Sequence, residues 1–191
     1  LAAVERDTIS CNAAISACEK GAIWQTALVL LASASRSAVE SNTISHNAAM
    51  SACGKGAGWL KALALLAKMD TVAVESDTIS YNAAISACEK GADWQTVLAL
   101  LTIMARATVE ANTISYNAAI SACEKGADWQ AALALLVTMG RTVVKSDVIS
   151  YNAAISACEK AAEWRTALAL LAEMSQNTVE PNTVSYNAAI S

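Results

Sequence analysis

Asp77-Thr-Ile-Ser-Tyr-Asn-Ala-Ala-Ile-Ser-Ala-Cys-Glu-Lys90 is followed by Gly91-Ala-Asp-Trp94 and a leucine-rich run ending at Met104. Nearly the same words begin at Asp7, Asn42, Asn112, Asp147 and Asn182, so that successive copies lie 35 residues apart. One supersecondary unit copied at such a period predicts a solenoid, a stack in which each repeat touches mainly its neighbours. Counted from the residue after the Asp or Asn, the full repeats are 8–42, 43–77, 78–112, 113–147 and 148–182 of a single array over 1–191. Residues 1–7 read as the tail of a preceding repeat and 183–191 as the start of a truncated one. Both ends cut a repeat open, so the chain reads as a piece of a longer array, with any targeting peptide outside it.

Within one repeat, Tyr81, Ala84, Ile85 and Cys88 follow the i, i+3, i+4, i+7 spacing of a helix burying one face. This first helix has three candidate N-caps, Asp77, Thr78 and Ser80. Gly91 stands where a left-handed residue would close it. Repeat five has Ala161 there, which predicts a strained or differently closed turn. A second helix follows after about two residues, capped by Asp93 and by Asp128, with Glu163 favouring the same start through the helix dipole. Its spacing is carried by Trp94, Val97, Leu98, Leu101 and Met104. Trp24, Trp59, Trp94, Trp129 and Trp164 recur once per repeat and are expected as large buried anchors between the two helices. The linkers carry β-branched residues such as Thr108 and Val109, and Pro181, which suit an extended return. The expected fold class is all-α, stacked helix–turn–helix repeats.

Composition narrows the function. The chain of 191 residues has a formal charge of −4, against the basic patch usual in nucleic-acid binders. The longest apolar runs, 62–67 and 132–137, fall far short of the roughly 18 residues a membrane span needs, so a soluble chain with no membrane partner is expected. Cys18, Cys53, Cys88, Cys123 and Cys158 share one repeat position. Stacked helices would hold them roughly 10 Å apart, beyond disulfide reach. Cys11 and Cys18 are as far apart on one helix, so free thiols and a reducing compartment are expected. No Cys-x-x-Cys occurs and His46 is the sole histidine, so no metal or other cofactor is expected. His46 and Cys11 stand where other repeats have tyrosine and read as packing variants.

With Tyr81, Ile85 and Cys88 turned inward, Ile79, Asn82, Ser86 and Glu89 lie about 100° around the helix. Side by side, such faces would line a groove bearing Asn12, Asn47, Asn82, Asn117, Asn152 and Asn187. Asparagine inside a helix costs roughly half a kcal/mol relative to alanine, so six copies ask for a reason. One is a polar ladder fixing the stacking register; another is recognition, since an amide offers both donor and acceptor to a base edge. The residues leave both open.

The period, the "TISYNAAISACEKG" first helix, the "W-x-x-A-L-x-L-L-x-x-M" second helix and the "VEPN" or "VESD" linker resemble pentatricopeptide repeats of the P type, over the whole chain. The 34-residue tetratricopeptide repeat fits less well in period and in aromatic placement. The resemblance implies a right-handed superhelix that binds single-stranded RNA, about one base per repeat, and acts in organellar RNA processing, stability, editing or translation, chloroplast favoured over mitochondrion. It implies that the fifth and last residues of each repeat select the base: Asn12 with Asn42, Asn47 with Asp77, Asn82 with Asn112, Asn117 with Asp147, Asn152 with Asn182. By the family's code Asn/Asn favours cytosine and Asn/Asp uracil, so the implied target is pyrimidine-rich, C-U-C-U-C from the 5′ end. Ile9, Ile44, Ile79, Ile114 and Ile149 match the position that sandwiches the base. Lys20, Lys55, Lys90, Lys125 and Lys160 match one that approaches phosphates, although a cation at a helix C-terminus is favourable in itself.

The departures are acidic. Glu40, Glu75, Glu110 and Glu180 stand at a linker position often lysine in the family, with only Lys145 basic. Glu19, Glu89, Glu124 and Glu159 directly precede four of the lysines. Phosphate neutralisation drives much of RNA affinity, so weak binding by the chain alone is expected. The competing reading is a protein-interaction scaffold, other proteins being received in the groove or by domains outside this stretch. For an enzyme the sequence supplies neither a deaminase signature nor a clustered acidic metal site.

Overall fold

The computed structural model describes residues 2–36 and 42–190, without the side chains of 2–7 and Arg36; Leu1, the 37–41 linker with Glu40, and Ser191 lie outside the described residues. Among the described residues all regular structure is α-helical. The first helices of the repeats are α1 (Ala2–Lys20), α3 (Thr43–Lys55), α5 (Thr78–Lys90), α7 (Thr113–Lys125), α9 (Val148–Lys160) and α11 (Thr183–Ile190). The second helices are α2 (Trp24–Arg36), α4 (Trp59–Thr71), α6 (Trp94–Arg106), α8 (Trp129–Arg141) and α10 (Trp164–Gln176). From α3 on, each first helix begins 35 residues after the last, and so does every second helix.

The chain forms two compact units, Leu1–Gly91 and Ala92–Ser191. In the first, α1, α3 and α5 pack side by side, with α2 against α1 and α3, and α4 against α3 and α5. The second repeats the scheme: α7, α9 and α11 form the row, α8 sits on α7 and α9, α10 on α9 and α11, and α6 packs on α7. A second helix thus seals the seam between two first helices, which leaves the opposite side of that row open.

The inward face follows the expected spacing. Tyr81, Ala84, Ile85 and Cys88 are buried, with Ala87 and Ser80 beside them. The second helices contribute Val97, Leu100 and Met104 in α6 and Ala132, Leu135, Leu136 and Met139 in α8; Leu98 and Leu101 are only half-buried. Each buried methionine removes a side chain from water worth about 1.5–3 kcal/mol. All six cysteines are free, five buried and Cys11 half-buried. His46 is buried, its ring nitrogen Nδ1 3.1 Å from the Asn42 carbonyl. Burial lowers its pKa, the Asn42 carbonyl opposing and the Lys68 charge adding to the shift, as befits a neutral packing residue in tyrosine's place.

Three expectations need correction. Gly91 is not left-handed: it has φ −77°, and the left-handed residue is the alanine after it, Ala92, with φ 55°. Ala22, Ala57, Ala127 and Ala162 take the same conformation. The glycine is there for space. A Cβ on Gly56 would meet Cδ1 of Trp24 at 2.4 Å, one on Gly91 Cδ1 of Trp59 at 2.8 Å, and one on Gly126 Cδ1 of Trp94 at 2.1 Å. Second, the tryptophans are therefore not anchors buried within their own hairpin; Trp24, Trp59 and Trp94 are half-buried against the turn of the next one. Third, the turn at Ala161 is neither strained nor differently closed than the others, with φ −91° there and 60° at Ala162.

The first helix is longer than its counterparts. Residues 2–7, read as the tail of a preceding repeat, continue α1 as helix. Ala2, Ala3, Glu5 and Arg6 are good helix formers, and the stretch holds none of the proline or serine that interrupts other linkers.

Candidate nucleic-acid interface

The open side of the first-helix row is built from its N-caps. Asp77 accepts the Ser80 N–H at 2.8 Å, Asp147 that of Ser150 at 2.9 Å, Asn42 that of Ser45 at 3.1 Å and Asn182 that of Ser185 at 3.0 Å. The serine hydroxyl accepts the cap's own N–H in return, a reciprocal box. Of the three candidates at the start of α5, Asp77 is the cap and Ser80 its reciprocal partner. The threonine that follows the cap bonds elsewhere. Thr43 Oγ1 donates to the Glu75 carbonyl at 3.0 Å and Thr113 Oγ1 to the Lys145 carbonyl at 3.3 Å, tying the helix to the next linker. In the second helices Asp93 and Asp128 accept from Thr96 and Ala131, while Glu163 makes no such bond.

These caps, each the last residue of its repeat, meet the asparagine at the fifth position of that repeat. Asn47 Nδ2 donates to Asp77 Oδ1 at 3.1 Å; Asn117 Nδ2 donates to Asp147 Oδ1 and Oδ2 at 3.1 and 3.2 Å; Asn152 Nδ2 donates to Asn182 Oδ1 at 3.4 Å. Three of the five expected pairs are thus in direct contact, across 30 residues of chain. Asn12 and Asn42 share no hydrogen bond among the described residues, and Asn82 and Asn112 belong to different units. Of the two meanings open in the sequence, the polar ladder is seen here: the amides bridge neighbouring helices, and they do so on the open face.

The cap duty splits each last residue by atom. The helix takes Oδ1 in Asn42, Asp77, Asp147 and Asn182 alike. An aspartate then keeps a carboxylate oxygen, Oδ2, for other partners, whereas an asparagine keeps its NH2. Burial alone would raise the Asp77 carboxyl, but the Ser80 N–H and hydroxyl and the Asn47 amide hold it below the ordinary 3.8. Asp147 is lowered in the same way against its own burial, by Ser150 and Asn117. Both stay ionised acceptors.

The isoleucines flank these pairs. Ile9, Ile44, Ile79, Ile114 and Ile149 are 63–69% exposed, on helices whose inward faces are buried. In the first unit a cleft of about 450 Å³ opens between Ile44 and Ile79, lined also by Asn47, Asn82, Ser51 and Glu19. Exposed branched apolar residues either side of a polar amide suit a flat, hydrogen-bonding ring.

The lysines are less available than their spacing suggests. Lys55 Nζ lies 2.9 Å from Glu19, which also accepts from Ser51 Oγ at 2.9 Å. Lys160 repeats this with Glu124 at 2.8 Å and Ser156 at 3.1 Å. Burial would raise the Glu19 carboxyl; Lys55 and Ser51 hold it below its usual range. Lys90 is different: the acidic place before it is Gly54, and it forms no ion pair among the described residues. Among the described residues no cluster of His, Cys, Asp and Glu could hold a metal ion.

Two sets of contributors escaped the spacing argument. The third-position serines, Ser45, Ser80, Ser115, Ser150 and Ser185, are buried polar residues. Their exact recurrence after each Asp/Asn was the available signal. Ser51 and Ser156, which steady the glutamates, recur equally regularly.

A sequence profile of the PPR repeat family matches residues 146–191, and one of the pentatricopeptide repeat domain matches residues 64–125. No curated protein sequence matches the chain. Among solved structures, the pentatricopeptide repeat protein PPR10 from maize superposes with a TM-score of 0.72 at 23% identity, over 94% of this chain and 26% of that one. PPR10 in complex with an 18-nt psaJ RNA element superposes at 0.62 and 17% identity, over 94% and 31%. The PPR domain of Arabidopsis thaliana protein-only RNase P 1, in complex with tRNA, gives 0.80 at 13% identity over 95% of both chains. The chain therefore spans about a quarter of maize PPR10, and its hairpins have the fold of these proteins. With two repeat profiles matched and the 35-residue helical hairpin running throughout, the chain belongs to the pentatricopeptide repeat family.

Proposed function

We propose that the open face of the first helices reads single-stranded RNA at about one base per repeat, with pyrimidine preference and without catalysis by the repeats. The observation that carries this is the contact between the fifth and last residues of a repeat, flanked by exposed isoleucines. In this reading Ile44 and Ile79 cover the faces of a base while Asn47 and Asp77 meet its edge; Ile9, Ile114 and Ile149 serve the other repeats. The chemistry of the last residue supports the C/U assignment. Uracil presents a ring N–H where cytosine presents a bare ring nitrogen. The outward oxygen of Asp77 or Asp147 accepts from the former, and the outward NH2 of Asn42, Asn112 or Asn182 donates to the latter. The implied sequence is C-U-C-U-C. The RNA complexes of PPR10 and of the RNase P domain support RNA as the partner, and family membership supports a role in organellar RNA metabolism.

Among the lysines, Lys20 and Lys90 are the better phosphate contacts, since Lys55 and Lys160 are held by glutamates. That neutralisation favours the second reading, a scaffold whose groove takes a peptide. Binding of labelled CUCUC-containing and purine RNAs at low and moderate salt, with an Asn47→Ala/Asn117→Ala variant alongside, separates the two. RNA recognition requires tighter binding of the pyrimidine RNA and its loss in the variant. Equal binding of both RNAs by folded protein, or none, leaves the scaffold.

A further inference from the structure

We infer that the buried third-position serines Ser80, Ser150 and Ser185 determine base selectivity by fixing which way the asparagine amide of the preceding repeat faces. This rests on the RNA reading above and adds a positioning residue to it.

A serine hydroxyl has one proton to give. Ser80 Oγ accepts the Asp77 N–H at 3.2 Å and has two acceptors in reach, Asn47 Oδ1 at 2.6 Å and Asp77 Oδ1 at 2.9 Å. Asp77 Oδ1 already accepts the Ser80 N–H and the Asn47 amide. The proton therefore goes to Asn47. The other two serines show the same order: Ser150 Oγ is 2.5 Å from Asn117 Oδ1 and 3.0 Å from Asp147 Oδ1, and Ser185 Oγ is 2.5 Å from Asn152 Oδ1 and 3.1 Å from Asn182 Oδ1.

The consequence is an amide with one allowed orientation. Oδ1 must face the hydroxyl and Nδ2 the cap. Turning it over would set Asn47 Oδ1 against the Asp77 carboxylate, two acceptors in contact, and cost the serine its short bond. What the locked amide shows the groove is one N–H and one lone pair in fixed places. An unlocked amide offers donor and acceptor interchangeably and distinguishes bases poorly. At Asn152 the bond to its cap is long, 3.4 Å, so Ser185 is the principal lock there. None of these serines reaches the surface, all three being fully buried, so they act only through the asparagine.

The first repeat supplies an internal control. Ser45 makes the same capping box, but its hydroxyl has only Asn42 to donate to, the carbonyl and Oδ1 each lying at 3.0 Å, and it bonds nothing in Asn12. Ser45→Ala therefore removes the reciprocal half of a capping box while the Asn12 amide loses no bond and the residue-45 N–H still holds Asn42 Oδ1.

The experiment measures binding of the chain to CUCUC-type RNAs varied one base at a time, for wild type, Ser150→Ala, Ser150→Thr and Ser45→Ala. Side-chain amide NMR of Asn117 is recorded without RNA. Ser150→Ala is expected to lower the preference at the fourth base by roughly fivefold, about one hydrogen bond, with the other bases unchanged. It should also shift the Asn117 amide protons and speed their exchange; Ser150→Thr restores both. Ser45→Ala should lower the melting temperature yet keep the preference at the first base. If Ser150→Ala does not fold, Ser150→Cys, with similar volume and a weak donor, replaces it. A wild type that discriminates at the fourth base beside a Ser150→Ala that discriminates equally overturns the inference alone. Equal losses in Ser45→Ala and Ser150→Ala assign the effect to capping and also overturn it. A wild type indifferent to the fourth base removes the base-reading proposal, and the inference with it.

Discussion

At the hairpin turn, glycine and left-handed alanine stand in the reverse of the usual order, and this gives a test at single residues. Gly56→Ala drives a methyl into Trp24 Cδ1 and to 2.8 Å from the Ala22 carbonyl, and should cost about 1–3 kcal/mol as overpacking. Ala57→Gly, one residue on, relieves a φ of 58° and should gain roughly 0.5 kcal/mol. Thermal melts of the two variants should move in opposite directions. The caps give a second test. Asp147 has its carboxyl pKa depressed in the fold, so its contribution is present at neutral pH and lost as pH falls through that lowered value. Asp147→Asn keeps a cap of equal rank without the charge. Urea denaturation from pH 7 to pH 2 should show wild type ahead at pH 7 and the two curves meeting in acid.

At the scale of the helix, the second helices rest on one methionine each: Met69, Met104, Met139 and Met174 are fully buried, while Ala34 fills that place in α2. Met104→Ala should cost about 2–5 kcal/mol, measurable by denaturant titration. The helices, their phases and their period were legible because amphipathic spacing is a local signal. The Tyr81–Cys88 face and the Asp93 and Asp128 caps follow from it directly. The role of Gly91 was not legible, because its reason is a tryptophan 32 residues away on another hairpin. Trp59 and Gly91 each carry a familiar local meaning, buried anchor and left-handed cap, and both meanings yield to one contact between repeats. The extra turns of α1 escaped for the opposite reason: repeat logic read residues 2–7 only as the tail of a preceding repeat, although their own propensities favour helix.

At the scale of the molecule, the −4 charge was readable in composition but its arrangement was not. Glu19 and Glu124 each hold the lysine of the next repeat, whereas Gly54 leaves Lys90 without such a clamp. If RNA is the partner, Glu19→Gln/Glu124→Gln should tighten binding at low salt. Its log–log salt dependence should steepen by roughly 0.7 for each lysine that reaches a phosphate; Gly54→Glu should do the reverse. Fluorescence titrations at several salt concentrations give both slopes, and unchanged slopes would assign these lysines to helix termini alone. The pairing of fifth and last residues, by contrast, was readable in outline. Its serine lock was hidden, because only the structure shows which acceptor receives the hydroxyl proton.

The double duty of the last residue has a bearing on how such a chain changes over generations. Aspartate and asparagine cap a helix about equally well, and their codons differ by a single nucleotide. A step from Asn112 to Asp, or from Asp77 to Asn, therefore keeps the helix capped while interchanging an outward donor and an outward acceptor. If the last residue selects the base, target choice can drift one letter at a time with the cap in place at every step.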